Sequence, residues 1–323
     1  MTKRGRPRHG SLQYWPRSRA KRIYHAPHWH HTKEMKVLGF AGWKAGMTHV
    51  QYIDSNPKSP TTGKILSKSV TVLDCPPLFV CGIRFYGRSH SGLISLGEKW
   101  SDKIPKDIEI TKKATPAIKQ SEVDHSKVID VRLIVASQPK KSGMAKKKPD
   151  VFELGLGGDD LKKKIEFAES HLGKEISIKD VFRIGEFIDV SAVTKGHGFS
   201  GSVKRFGIRI QTRKDQQMHR HVGSIGSTVP RKVDWRVPQA GQYGFFTRTE
   251  YNKRLLMIGD DAKKINPKGG FLSYGMIPEH FILLEGSVPG STKRLVVLQK
   301  GSRAGREMPV DIQYISQESK QGK

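Results

Sequence analysis

Apolar residues along this chain fall into short runs and alternations, the pattern of strands more often than of helices. From Met35, MKVLGFAGWKAGMTHVQYI clusters its apolar residues like strands joined by Gly turns. SKSVTVLDCPPLFVCGIRFY continues the pattern, with Pro76–Pro77 marking a turn or edge between two strands. VIDVRLIVAS at 128–137 predicts another strand, and ISIKDVFRIGEFIDVSAV resumes the signal further on. RLLMIG, HFILLEGSV, KRLVVLQK and MPVDIQYIS carry it towards the C-terminus. One helix stands out. Asp159 and Asp160 can cap a run whose Leu161, Ile165, Ala168 and Leu172 share a face, and Gly173 is a natural stop. A weaker helical stretch falls at 117–124, and no internal repeat is present. Short strands dominate, so the expected fold class is mainly β with an α/β insertion, a barrel or sandwich bearing long projections.

The strand pattern fails between Lys195 and Arg248, where arginine, lysine, glycine and histidine replace apolar anchors. Such a segment buries too little surface to offset the entropy of ordering itself, so something outside the fold must hold it. Charge says what that is. From Val190 to Arg254 there are 13 Lys+Arg against 3 Asp+Glu, and the first 33 residues hold nine Lys+Arg and no acid. Residues 97–191, by contrast, are nearly balanced at 19 to 17, although the whole chain carries a formal +28. Charge concentrated in two regions points to a polyanionic partner rather than to a generally basic surface.

With 323 residues there is room for one large or two ordinary domains, and 36% apolar content suffices for a core. Cys75 and Cys81 are the two cysteines, which excludes a disulfide framework and fits a reducing compartment. No run reaches membrane-spanning length. The N-terminal arm lacks the apolar stretch of a signal peptide, and Pro7, Pro16 and Pro27 break any amphipathic period. It is expected to belong to the working protein.

Several constellations invite a chemical reading. Gly196-His-Gly198-Phe-Ser-Gly201 matches GxGxxG after the strand-like FIDVSAV. A dinucleotide site needs a helix starting at the third glycine and an acid about 20 residues on, closing a second strand. SVKRFGIRI is instead interrupted by Gly207, and Asp215 sits within TRKDQQ, so a dinucleotide-binding enzyme is the weaker alternative. His25, His28, His30 and His31 could bind a metal, but no cysteine is near and no rigid element is predicted, so nucleic-acid contact is favoured. His219 and His221 are read the same way. The cysteine pair is expected as two buried thiols. Tyr14, Trp15, Trp29, Phe206, Trp235, Tyr243 and Phe245 sit among Arg and Lys, which suits unstacked bases and irregular RNA better than a regular duplex. The bland use of the same rings is to pack the extension onto the core, and for Trp235 the two uses weigh equally. No helix-turn-helix, zinc finger or RRM signature occurs.

FIDVSAVTKGHGFSGSVKR at 187–205 resembles the signature of the universal ribosomal protein L-three family, the third protein of the large ribosomal subunit. HRHVGSIGSTVPRKVDWRVPQAGQYG at 219–244 resembles that family's long loop, and VPGSTKRLVVL at 288–298 its C-terminal strand. RPRHGSLQYWPRSRAKR and LGFAGWKAGMTHV look like the archaeal and eukaryotic branch, and the chain length favours the archaeal type. The resemblance implies a six-stranded translation-protein-type β-barrel, an inserted α/β region, and two extensions that penetrate large-subunit rRNA. It also implies a role in early subunit assembly and a loop tip, here 226–230, near the peptidyl transferase centre. Thr228 stands where relatives of this branch often carry tryptophan, so a mechanism based on an aromatic tip does not transfer.

The resulting division is an arm at 1–36, a barrel core at 37–96, 175–204 and 255–316, an insertion at 97–174, and a basic loop at 205–254. Phosphate contacts are expected from Arg17, Arg19, Arg22, Lys195, Arg205, Arg209, Arg213, Arg220, Arg231, Lys232 and Arg236. Gly196, Gly198, Gly223 and Gly226 should allow close backbone approach, with His197, His219 and Trp235 adding polar or stacking contacts. No catalytic residue, metal, cofactor, membrane or small-molecule substrate is expected. The expected partners are large-subunit rRNA and neighbouring ribosomal proteins, in the cytoplasm and bound to the ribosome. The other alternative is a free-standing basic RNA chaperone.

Overall fold

The structure, a computed structural model, describes residues 8–90, 92–105, 108, 127–215, 217–303, 307–319 and 321. The chain forms two compact units, one of Tyr24–Ala192 with Thr249–Lys323 and one of Met1–Ile23 with Val193–Arg248. In the larger, β1 (Gly39–Ile53), β2 (Ile65–Asp74), β8 (Phe187–Val193), β11 (Thr247–Gly259), β12 (Phe281–Glu285), β13 (Leu295–Lys300) and β14 (Asp311–Ile315) share one sheet. The order is β13-β8-β11-β12-β2-β1-β14, and β13 also pairs with β1, so the hydrogen-bonded path returns to its start. One edge of β1 serves two partners, β13 along Gly39–Trp43 and β14 along Val50–Ile53, while the other edge pairs β2.

Residues 35–53 are expected as several strands joined by Gly turns, but Gly39–Ile53 forms one 15-residue strand. The reason is close approach. A Cβ on Gly42 would collide with Cys75 Sγ, and one on Gly39 with the indole of Trp29. These glycines make room for neighbours rather than reversing the chain. The runs FILL in β12 and LVVLQ in β13 are buried without interruption, and Phe40, Trp43, Leu73 and Ile188 complete the core beside them. Asp189 is fully buried in β8, where its carboxylate accepts from Asn252 N–H (2.9 Å), Ser302 N–H (2.9 Å) and Ser302 O–H (2.8 Å). A buried carboxylate without such donors would cost several kcal/mol.

The second sheet divides the stretch expected as continuous core at 37–96. After the Cys75–Pro77 turn, β3 (Leu78–Ser89) and β4 (Gly92–Trp100) pair with β5 (Asp130–Ala136) and β6 (Val151–Gly155) in the order β4-β3-β5-β6. The two-residue β7 (Glu175–Ile176) pairs the start of β3. Arg84 bridges Glu98 and Glu153, Arg132 bridges Asp130 (3.2 Å) and Glu153 (3.4 Å), and Tyr86 donates to Glu153 (2.7 Å). Helix α1 (Leu161–His171) forms where its pattern predicts, burying Ala168, with Ile165 and Leu172 packed partly against the core. Asp160 takes the N-cap position but turns its side chain to Lys163 (2.8 Å) instead of capping. The expected strand ISIKDVFRIGEFIDVSAV is interrupted, because Ile178–Asp180 forms a 3₁₀ turn and Asp180 accepts from Ser177 N–H (2.9 Å). The possible helix at 117–124 lies outside the described residues.

The expected arm at 1–36 also divides. Tyr24 donates to the Val151 carbonyl (2.7 Å) and Trp29 packs on Gly39 and Gly155, which ties 24–36 to the larger unit. Both cysteines are free and buried, and burial pushes the Cys81 thiol up to about 12. Among the described residues no helix is long and apolar enough to cross a membrane.

One buried acid gives a pH test. Burial raises Asp74 to about 6, although Tyr274 O–H (2.6 Å) and Gly143 N–H (3.0 Å) donate to Oδ2; Oδ1 has no partner. The folded pKa lies above the unfolded one, so stability falls as pH rises through the window between them and the loss is complete above it. An Asp74→Asn variant should therefore gain relative to the parent between about pH 5 and pH 7, by about 1 kcal/mol of the roughly 3 kcal/mol that the full window spans. Urea midpoints of both chains at the two pH values measure this; parallel shifts would exclude it.

Candidate nucleic-acid interface

The smaller unit is built on a two-stranded hairpin. β9 (Gly196–Ser200) pairs antiparallel with β10 (Gly241–Gly244), placing Ser200 opposite Gly241 and Gly196 opposite Gly244. Gly244 lies at φ +70°, and a Cβ there would collide with the Lys195 carbonyl oxygen, so only glycine closes this rung. Helix α2 (Ser202–Phe206) starts directly after Gly201, where the sequence predicts none, and Gly207 ends it in the left-handed conformation. It has five residues, and the strand before it pairs antiparallel with β10. The GxGxxG run therefore lacks the parallel strand–helix crossover that would hold a pyrophosphate.

Phe206, at 7% exposure, is the ring on which the unit assembles. Trp15 stacks on it at 6.1 Å and 25°, and Trp235 meets Trp15 edge-on at 5.0 Å. The Arg17 guanidinium lies 4.2 Å from the Phe206 ring and that of Arg205 5.1 Å. Arg17 Nη1 donates to the Arg205 carbonyl (3.1 Å), while Arg205 donates to those of Gln242 (3.0 Å) and Gln239 (2.9 Å). Ala20 N–H donates to the Phe245 carbonyl (2.9 Å), tying the arm to the hairpin. Arg248 is held over Tyr14 at 4.6 Å and Phe246 at 5.2 Å.

Electrostatics in this unit are one-sided. Its described residues include 16 Lys+Arg and 2 Asp+Glu, and among them no ion pair falls within the unit. Asp215 accepts from Thr212 N–H (3.0 Å), and Asp234 from Arg236 N–H (2.8 Å). Burial lowers the pKa of Arg17, helped by repulsion from Arg205, Arg248 and Arg8; burial alone lowers that of Arg205.

The predicted contact residues separate into two groups. Arg17 and Arg205 are half-buried and engaged by rings and carbonyls. Arg19, Arg22, Lys195, Arg209, Arg213, Arg220, Arg231, Lys232 and Arg236 are exposed. Gly198, Gly223 and Gly226 all have positive φ, and Gly196 pairs in the hairpin. His197 stacks on Tyr243 at 5.1 Å and 21°, and the His219 carbonyl accepts from Gln211 N–H (2.9 Å). Trp235 packs against Trp15 yet is 55% exposed. Trp29 takes the bland use, held in the larger unit. Of the His25–His31 group, His31 pairs with Asp159 (3.1 Å), and no three potential ligands converge among the described residues. Phe199, 82% exposed on β9, and Arg248 went unmarked in the sequence. Phe199 shows as the one large apolar residue in a glycine-rich hairpin; Arg248 is hidden by the strand alternation of FTRT.

The family model for Ribosomal protein L3 matches residues 1–322. The chain is 46% identical to the large ribosomal subunit protein uL3 of Methanopyrus kandleri, covering 98% of this chain and 92% of that one. It is 44% identical to uL3 of Methanococcus aeolicus over 99% of each chain. Against uL3 of Methanothermobacter thermautotrophicus identity is again 44%, over the full length of both.

Phe206→Ala should remove the shared seat of Trp15, Arg17 and Arg205, at a local cost of about 3 kcal/mol or more. Hydrogen exchange of residues 11–22 should then accelerate strongly. Unchanged protection there would show that the ring does not organise the arm.

Proposed function

The chain belongs to the ribosomal protein L3 family, and from that premise we propose that it is a structural RNA-binding component of the large ribosomal subunit. One observation carries the assignment of the RNA-facing side. Among its described residues the smaller unit concentrates cations without internal ion pairs and exposes Phe199, Val229, Met218 and Trp235, so charge and apolar surface both await an outside partner. The partners are the large-subunit rRNA and neighbouring ribosomal proteins, which makes the chain ribosome-bound and cytoplasmic.

In this reading the cyclic path β13-β8-β11-β12-β2-β1 is a six-stranded barrel of the translation-protein type that anchors the protein at the subunit surface. The second sheet, with its own ion pairs, is the inserted α/β region and stays solvated or meets other proteins. Residues 8–23 and 193–248 reach into RNA, and the tip at 226–230 approaches the peptidyl transferase centre. The exposed group from Arg19 to Arg236 neutralises phosphates, while Gly196, Gly198, Gly223 and Gly226 admit the backbone closely. His197, His219 and Trp235 supply polar and stacking contacts, and the half-buried Arg17 and Arg205 add charge. Such contacts support early subunit assembly by holding crowded RNA strands together. The dinucleotide alternative has against it the antiparallel hairpin, the five-residue helix and the family itself.

Sedimentation of a native lysate through sucrose tests the proposal. The chain should travel with the large subunit at moderate salt and remain there at high salt, whereas a free-standing chaperone would wash off. Arg231→Ala combined with Lys232→Ala should lower the salt slope of rRNA binding by about 2. A slope equal to that of the parent would remove these two residues from the phosphate contacts.

A further inference from the structure

We propose that a cleft in the smaller unit seats one unstacked nucleotide of the RNA, its phosphate among Arg17, Lys195 and Arg248 and its base against the Tyr243–His197 pair. This deepens the RNA-binding reading above and rests on it. The cleft has a volume of about 400 Å³, and these five residues line it together with Arg205. That size lies near the lower end of the ~300–1,000 Å³ of small-ligand sites, enough for one nucleotide and too small for a duplex. Among the described residues no carboxylate lines it, so its cations face one another without a counter-ion.

The donors are held ready. Arg17 lines the cleft with its guanidinium held over the Phe206 ring, and its buried Nε has no hydrogen-bond partner among the described residues. Arg248 spends one N–H on the Thr247 carbonyl (2.8 Å), and its plane is fixed over Tyr14 and Phe246. Lys195 is pinned through its backbone, whose carbonyl accepts from Phe245 N–H (3.0 Å) beside the Gly244 turn. Burial, and after it repulsion from Arg205 and Arg248, already depress the pKa of Arg17, and a bound phosphate would offset that repulsion. A bare anion site would need only these cations. The nearly parallel His197 and Tyr243 rings add a flat surface at the same cleft, which suits a base.

The test uses large subunits from cells carrying the parent chain or its Tyr243→Leu, Tyr243→Phe or Arg248→Gln variants, with the RNA probed by base-reactive and ribose-reactive reagents. Tyr243→Leu and Arg248→Gln should each raise reactivity several-fold at one shared nucleotide, and Tyr243→Phe should leave it as in the parent. The proposal is overturned if the two variants share no altered position, or if Tyr243→Phe exposes the same nucleotide. Should Tyr243→Leu fail to enter subunits, Arg248→Gln against Tyr243→Phe decides by the same criterion. A parent chain absent from large subunits would instead defeat the RNA-binding reading itself.

Discussion

A buried or crowded guanidinium must be given something to interact with, and in the smaller unit that something is a ring face or a carbonyl oxygen. Arg17 and Arg205 share Phe206, and Arg248 lies over Tyr14 and Phe246. Each cation–ring contact contributes about 0.5–2 kcal/mol without cancelling the positive charge. In the second sheet, by contrast, Arg84 and Arg132 meet Glu98, Asp130 and Glu153 and are neutralised where they stand. One chain thus handles the same side chain in two ways. In the smaller unit ring faces and carbonyls hold the guanidiniums; in the second sheet carboxylates do, with Arg132 also lying over the Tyr86 ring.

This choice lets the smaller unit be ordered and strongly cationic together. Ion pairing would have ordered the unit equally well and erased the field that attracts phosphate. The glycines complete the arrangement. Gly244 brings Lys195 and the Tyr243 segment into adjacent rungs, and Gly207 stops α2 after Phe206 has been delivered to its neighbours.

Much of the larger unit was legible from its strand pattern, because continuous apolar runs such as FILL and LVVL have few other uses. Glycine was the main source of misreading. In 35–53 it looks like turn punctuation, yet Gly39 and Gly42 sit within one strand because Trp29 and Cys75 come too near for a side chain. The basic unit was legible as a strongly cationic region through its composition, and less so as a folded object. Its order depends on contacts such as Arg17–Phe206, nearly two hundred residues apart in sequence, which no local period reveals. The same distance hides the difference between Arg17, which props the unit, and Arg19, which faces outward.

The segment between β8 and β11 leaves and rejoins the cyclic sheet through neighbouring strands, and the hydroxyls of Ser191 and Thr249 lie 2.8 Å apart at its neck. Everything beyond that neck is therefore a single detour whose ends are already together. Doubling the length of such a detour adds only about 0.6 kcal/mol of closure entropy. Insertions, deletions and changes of lettering at the tip, Thr228 among them, can accumulate there while the closed path of strands keeps its register. Selection can thus alter the segment beyond the neck without renegotiating the strands that carry it.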